Sequence, residues 1–481
     1  MSDNKIQFSI DSVMDDFGRV FFMNNKVYRA ITHNSVNKCR EMLNEPFFVE
    51  LMKLGLVPQT SITNMELPEY GLVLEHEKLL NTQQYEWTFS MFKNAALTII
   101  KILNICQKYD YELKDAHTKN ILFRGNQAVY VDIGSFQKKT QEEWSAQYEF
   151  ISCFYVPLSL WAEGELYIAR KIIESNLYFM RTIPNQTILD SGITRLVKKK
   201  PFNYTFILFK KYRLSKNNQH SKLLEKVTSI CNKIISRLRG QYTEVLSYHT
   251  TYKTLDEMEK DISNIFLPNL DTLWKNYHTK LYTDGNIKLP SSERFDRIIE
   301  LIQNIKSKDN INSVLELAGN SGLLSFLIEE RLKIPMITLS DYDETALEQA
   351  YEIQASRNTA INFVLLNFML PINNEDTAKR LKSDIVLALA VTHHLILTGN
   401  FLLSSIFERI SLYSNKYVIT EFMPMGLYST ESDYIPDIPE WYTVDWFKDE
   451  FEKHFTLEYT IQLEKNRILF VGKIKLSSSI F

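Results

Sequence analysis

Glycine is scarce in this chain: 14 of 481 residues, where average usage is roughly 7%. Proline, at 13, is scarce as well. Few positions can then take a positive φ or let a ligand lie directly against the backbone, so each glycine is worth locating. Cysteine is nearly absent. Cys39, Cys106, Cys153 and Cys231 lie far apart with no Cys-x-x-Cys pair. That spacing fits neither a zinc site nor a disulfide framework, and a reducing, cytoplasmic setting is expected. Neither sign of charge dominates: 55 Lys+Arg against 58 Asp+Glu gives −3. No global basic field argues for nucleic acid. No apolar run approaches ~18 residues, so no membrane span is expected. Lys101 interrupts the best candidate, around 95–105. Met1-Ser2-Asp3-Asn4-Lys5 has no apolar signal-peptide core.

What is present is globular in character, with 45% hydrophobic and 23% charged residues. At roughly 150 residues per domain, the length allows two to four domains. Val20–Met23 and Lys26–Ile31 read as strands around an Asn24-Asn25 turn. Helical periodicity follows over 36–54, a strand over 71–75, and a long helix over 88–108. Ile121-Leu122-Phe123 and Ala128–Val131 flank the turn sequence Arg124-Gly125-Asn126-Gln127. Residues 142–246 and 247–310 read as mostly helical. Between Arg195 and Lys222 there are nine basic residues and no acid, interleaved with Phe202, Tyr204, Phe206, Phe209 and Tyr212. A solvated face explains such a run, and so does a site for an anionic, phosphate-bearing partner.

Beyond residue 310 the texture changes. Apolar strands begin at Val314, Met336, Phe363, Asp384 and Tyr417, with helical segments between them. Such alternation predicts a parallel sheet with crossover helices. The runs 456–463 and 468–476 predict a closing antiparallel hairpin.

Two of the rare glycines fall in Glu316-Leu317-Ala318-Gly319-Asn320-Ser321-Gly322, which follows the first strand and opens a helix. An ordinary turn would also use Gly-x-x-Gly. The acid Asp341, closing the next strand, adds the group that accepts ribose hydroxyls in nucleotide folds. The spacing alone suits NAD as well as another adenosyl cofactor. The run resembles motif I of the class I S-adenosylmethionine-dependent methyltransferases, whose pattern is acid-x-Gly-x-Gly-x-Gly. Glu316, Ala318, Asn320 and Gly322 stand at those four places, with Gly319 displaced by one. The resemblance covers about 310–481, and its Asn-x-Gly ending is similar to one bacterial subgroup. It implies S-adenosylmethionine as cofactor, Glu316 beside a cationic group, and Asp341 on the ribose. Asn367 and Phe368 match the adenine-contacting position, where Asn367 must turn its carbonyl to the adenine amine. Leu387–Leu395, with His393 and His394, resembles motif IV of the same subgroup. One histidine is expected to act as general base or substrate orienter; the alternative is that the pair caps the strand. Trp274, Tyr277, Tyr282 and Lys288 precede the first strand; the resemblance implies residues that close over the cofactor there, and packing aromatics explain them equally well.

Upstream, Asp115-Ala116-His117-Thr118-Lys119-Asn120 precedes the short hairpin, and Asp132-Ile133-Gly134 follows it. These resemble the catalytic loop and metal-binding motif of the aminoglycoside-phosphotransferase branch of the protein-kinase-like fold, over about 15–240. The resemblance implies Asp115 as catalytic acid-base residue, Asn120 and Asp132 as metal ligands, and Mg-ATP as a second cofactor. No glycine-rich phosphate loop precedes them: Gly18 is alone, and Arg29 stands where the family has lysine. A kinase-like domain reused for binding is therefore preferred to a working phosphotransferase.

The expected architecture is an α+β kinase-like domain at 1–245, a helical connector at 246–310, and an α/β Rossmann-like methyltransferase domain at 311–481 with a terminal antiparallel hairpin. The expected activity is methyl transfer to an oxygen or nitrogen of a small-molecule or anionic substrate presented by the kinase-like domain. The rivals are a bifunctional kinase–methyltransferase acting on a sugar-like or small hydroxyl compound, and a non-catalytic binding protein.

Overall fold

Apolar runs of strand length, separated by amphipathic helices, assemble a seven-stranded sheet in the second half of the chain. Its strands are β1 (Ser313–Leu317), β2 (Met336–Asp341), β3 (Ile361–Leu365), β4 (Ser383–Ala388), β5 (Ser414–Phe422), β6 (Phe455–Glu464) and β7 (Arg467–Ile474). The computed structural model describes residues 5–12, 15–175, 254–267, 272, 292–357, 360–428 and 437–475. The basic stretch at 195–222 and the aromatic segment at 274–288 lie outside the described residues.

Strand order is β3-β2-β1-β4-β5-β7-β6. β1 to β5 run parallel, and β7 runs antiparallel to both β5 and β6. β1 and β4 are buried along their whole length, as befits strands covered on both faces. The helices are α1 (Glu293–Lys308), α2 (Leu323–Leu332), α3 (Glu344–Arg357), α4 (Asn374–Leu381), α5 (Thr392–Leu397), α6 (Leu403–Leu412) and α7 (Val444–His454). In α1, Ser292 caps the first turn, and Phe295, Ile298, Ile299, Ile302 and Ile305 form one buried stripe. From β1 the chain steps outward to β2 and β3, then returns to β4 on the other side of β1. The carboxyl ends of β1 and β4 therefore flank the topological switch point, where open α/β sheets bind ligands.

The described residues pack as two units, and the division is not sequential. One comprises Met1–Lys78, Phe92–Ile121 and Ala128–Asn269; the other comprises Leu79–Met91, Leu122–Gln127 and Leu270–Phe481. The expected 246–310 connector is thereby shared, with Leu255–Ser263 in the first unit and α1 in the second. Within the second unit the two short upstream segments are firmly held. Leu80 joins the apolar core. Tyr351 donates to the Asn126 carbonyl at 2.7 Å. Phe89 and Ser90 donate their backbone N–H groups to the carboxylates of Glu344 and Glu348 on α3, at 3.2 and 2.6 Å. Those amides open the Phe89–Cys106 helix, and such orphan donors favour anionic partners. Arg380 of α4 grips Glu86 with both terminal nitrogens, at 2.6 and 3.0 Å, and both side chains are buried.

The first unit contains an antiparallel sheet ordered Gln7–Phe8, Gly18–Met23, Lys26–Ile31, Leu72–His76, Thr60–Ile62. Asn24 and Asn25 both take positive φ, 51° and 62°, as the tight turn between its central strands requires. Tyr111–Leu113 pairs with Phe136–Lys138, and the hairpin Ile121–Arg124/Gln127–Tyr130 lies between them in sequence. The Phe89–Tyr109 segment is long and apolar enough to cross a membrane by length and composition, despite Lys101. It is mostly buried inside the protein, as a core helix is.

Removing one partner of a buried ion pair strands the other charge. Glu86→Ala is therefore expected to lower the unfolding free energy by about 3–5 kcal/mol. Urea denaturation followed by circular dichroism reads this; an unchanged midpoint would mean the pair holds nothing together.

Candidate functional site

The turn after β1 is built on backbone conformations that side chains resist. Ala318, Asn320 and Gly322 take φ of 54°, 53° and 76°. They are the three positions where the motif I pattern has glycine. An asparagine tolerates this region, but for alanine it costs about 1–2 kcal/mol. Gly319 is not left-handed; its constraint is space. A Cβ there would meet Leu339 Cδ1 at 2.4 Å and Glu316 Cδ at 2.7 Å. At Gly322 it would meet Leu339 Cδ2 at 2.5 Å. The two glycines thus allow close packing of the turn on β2.

Glu316, on β1, is buried. One of its oxygens, Oε2, accepts from both the backbone N–H and the hydroxyl of Ser325 on α2. Burial pushes its carboxyl up to about 7, against the pull of those bonds and of Arg294. Asp341, closing β2, is also buried and is pushed up by burial to about 6. Its Oδ2 accepts from Asn320 N at 2.7 Å, and its Oδ1 from Asp343 N at 2.7 Å. One carboxylate therefore braces the turn after β1 and the turn after β2. An ionised carboxylate has about four acceptor positions, so these two bonds do not exhaust it.

The residues after β3 depart from expectation. Asn367 Oδ1 accepts from Met369 N and Leu370 N, both at 3.2 Å. Its carbonyl is turned to its own backbone, which leaves the amide nitrogen as the outward group. Phe368 is buried in the apolar core, so its ring is committed to packing. The exposed apolar side chains at these strand ends are Tyr342 (63%) after β2 and Leu370 (65%) after β3. Sequence reasoning passed over both, since exposure is not visible in a one-dimensional pattern.

The other side of the switch point is organised by Glu421, at the end of β5. It is 0% exposed. Arg294 from α1 holds it through Nε at 2.8 Å and a terminal nitrogen at 2.7 Å. Arg467 from β7 and the backbone N–H of Ala390 each donate to Oε2 at 3.0 Å. Thr392 donates to the Glu421 carbonyl at 2.7 Å. Ala390, just past β4, is a further left-handed alanine, with φ of 48°. His393 and His394 follow at the start of α5, their ring centroids 4.1 Å apart. His393 is 4% exposed, and its buried Nδ1 has no hydrogen-bond partner among the described residues. Burial, then the His394, Arg467 and Arg294 charges, holds its imidazole down to about 3. Burial lowers His394 as well. A group held so low is neutral at pH 7.

The upstream residues gather in the first unit. Asp115 accepts from the Tyr130 hydroxyl through its backbone carbonyl at 2.9 Å, and its own N–H donates to Ser135 Oγ at 3.0 Å. Its half-exposed carboxylate lies 3.9 Å from Lys114 Nζ. The Asn120 amide donates to Tyr130 at 3.2 Å. Asp132 Oδ1 accepts from Gly134 N and from Arg29, each at 3.1 Å. Both expected metal ligands therefore have protein partners, and Asp132 already carries a cation. Among the described residues no group of three or more His, Cys, Asp and Glu could hold a metal ion.

No family model matches the chain. It is similar to the nodulation protein NoeA of Rhizobium meliloti (strain 1021): 21% identical over 434 residues, spanning 86% of this chain and 84% of that protein. Among solved structures, an S-adenosylmethionine-dependent methyltransferase from Clostridium acetobutylicum is 12% identical with a TM-score of 0.31, covering 41% of this chain and 98% of its own. The N-methyltransferase NodS from Bradyrhizobium japonicum is 12% identical with a TM-score of 0.28, covering 37% and 96%.

The left-handed alanines give a direct test. Ala318→Gly removes the Cβ penalty while loosening the unfolded chain, so a net gain of about 0.5–1 kcal/mol is expected. Thermal unfolding of the ligand-free protein should show a higher Tm; a lower one would mean the Ala318 methyl group packs usefully.

Proposed function

We propose that residues 292–475 bind S-adenosylmethionine and transfer its methyl group to an oxygen or nitrogen acceptor. The observation that carries this reading is the antiparallel β7 inserted between β5 and β6. Dinucleotide-binding sheets end with strands in the order 3-2-1-4-5-6, and the reversed seventh strand belongs to the methyltransferase pattern that the sequence resembles. The strained alanines support it, because left-handed non-glycine residues persist where the surrounding structure imposes them, often at binding sites. Ala318 follows β1 and Ala390 lies just past β4, on the two sides of the switch point.

The residues present fit this cofactor. S-adenosylmethionine supplies an electrophilic methyl group on a sulfonium. Glu316 is the anionic partner for its ammonium group, and Asp341 has acceptor positions for ribose hydroxyls. Asn367 offers an N–H, which suits a ring nitrogen of adenine rather than its amine, and Tyr342 and Leu370 offer apolar surface. His393, neutral and buried, orients an acceptor rather than deprotonating it. In-line transfer proceeds by positioning, with no base required.

The first unit is read as a kinase-like domain that binds or presents the acceptor without phosphotransfer. Its strand order and the loop positions of Asp115, Asn120 and Asp132 support the likeness. The Arg29–Asp132 contact speaks against Mg-ATP and so against the bifunctional alternative.

The raised Glu316 value fixes the sign of a pH effect. In the ligand-free chain the protonated carboxyl is the favoured folded form. Its stabilising contribution is full below the ordinary 4.5 and is lost as the pH rises towards about 7. A cationic ligand favours the ionised form instead, so binding near pH 6 should release a proton, and affinity should rise up to about pH 7. Titration calorimetry with S-adenosylmethionine at pH 6, in buffers of different ionisation enthalpy, reads both. Buffer-independent heats would remove Glu316 from the ammonium site, and tighter binding of NAD than of S-adenosylmethionine would overturn the cofactor assignment.

A further inference from the structure

Three buried polar atoms around the end of β5 lack a hydrogen-bond partner among the described residues: His393 Nδ1, Tyr442 Oη and Asn466 Nδ2. Such orphans are few in native proteins, and each costs free energy unless something else meets it. The elements that carry them converge. His393 lies in the first turn of α5, whose Thr392 donates to the Glu421 carbonyl on β5. Tyr442, 3% exposed, sets its ring 4.8 Å from that of Phe422, the next residue of β5. Asn466 lies in the turn between β6 and β7, where its carbonyl oxygen accepts from Met425 N at 2.6 Å. Its amide nitrogen is therefore the end turned away from that contact. The turn after β5 is held tightly between neighbours: a Cβ on Gly426 would meet Leu397 Cδ1 of α5 at 2.9 Å and Ile438 Cγ2 at 2.7 Å.

One aromatic ring beside Tyr442 is not covered. Trp441 is 52% exposed. Trp446 and Tyr442 approach it at 4.9 and 6.1 Å, inclined by 63° and 69°, so neither stacks on its face. The charges at the end of β5 are already matched. Glu421 takes Arg294 and Arg467, and Arg467 also donates to Glu464 at 3.1 Å. Neither guanidinium is left to hold a carboxylate, and Glu421 is not left to hold an ammonium.

We propose that His393, Asn466, Tyr442 and Trp441 form the acceptor subsite of the second unit, and that it takes a neutral compound carrying several hydroxyls on a saturated ring. This rests on the S-adenosylmethionine reading and narrows its acceptor from oxygen or nitrogen to a hydroxyl oxygen. A hydroxyl both donates and accepts. One kind of group therefore meets an imidazole nitrogen, a phenol and an amide N–H. The C–H face of a saturated ring suits the electron-rich face of the Trp441 indole, and leaves its hydroxyls for the polar atoms. A protonated amine offers donors alone, and the Asn466 amide nitrogen can accept none of them.

Saturation-transfer NMR on the full chain, with S-adenosylhomocysteine present, tests this. The probes are methyl α-glucopyranoside, glucosamine and glucuronate, which share a ring and differ in charge. Wild type is expected to bind the glucoside most tightly. Tyr442→Phe removes the orphan hydroxyl with little change of shape. It is expected to raise the Tm of the ligand-free chain and to weaken glucoside binding by roughly tenfold. Trp441→Ala, at an exposed position, is expected to weaken binding by a similar factor and leave the Tm unchanged. A merely structural Tyr442 would move the Tm alone, so equal glucoside affinity in Tyr442→Phe and wild type overturns the proposal. So does preferential binding of glucosamine or glucuronate, and so does failure to bind any probe while calorimetry shows S-adenosylhomocysteine bound. If S-adenosylhomocysteine itself does not bind, the cofactor reading falls and the proposal falls with it.

Discussion

The Glu421 carboxylate is fully buried, and the carboxyl edge of the large sheet is arranged around it. Four hydrogen bonds reach it: two from Arg294 on α1, one from Arg467 on β7, and one from the Ala390 backbone after β4. A buried charge is tolerated only when paired and hydrogen-bonded. Satisfying it fixes where α1 begins, where β7 enters beside β5, and how the chain leaves β4. Ala390, the donor of that last bond, is left-handed. The His393–His394 turn is placed by these constraints, and Arg294 and Arg467 help keep His393 uncharged. Across the switch point Asp341 plays the matching part, bracing the turn after β1 from β2.

The large sheet was legible in the sequence because apolar strands such as 313–317 and 383–388 announce themselves by composition alone. Its site was legible only in part. The left-handed positions 318, 320 and 322 coincide with the glycine positions of the motif the run resembles, although two of the three are not glycine. The orientation of Asn367 was not readable, since it depends on the Met369 and Leu370 amides that its carbonyl captures. Nor was the Glu421 node, whose partner Arg294 stands 127 residues away in sequence. Glu86 and Arg380, 294 residues apart, show the same limit. Ion pairs of that kind carry no periodicity to read.

The scarcity of glycine takes on a definite meaning. Gly319 and Gly322 let the turn lie on Leu339, and Gly134 lets Phe17 lie on the Asp132 turn. In each case the missing Cβ admits another part of the same chain. Alanine or asparagine supplies the remaining left-handed backbone of the turn after β1, at an energetic cost the fold bears. In the first unit Arg29 donates to both Asp15 and Asp132.

The central claim is that an adenosyl cofactor lies across the carboxyl ends of β1 and β2, beside the β4 turn. Irradiating the full chain with methyl-labelled S-adenosylmethionine, then mapping the labelled peptides, tests it most directly. The account predicts label within residues 316–342 or 390–394, suppressed by unlabelled S-adenosylhomocysteine. Label confined to residues outside 313–474, or label that the competitor leaves unchanged, would contradict it.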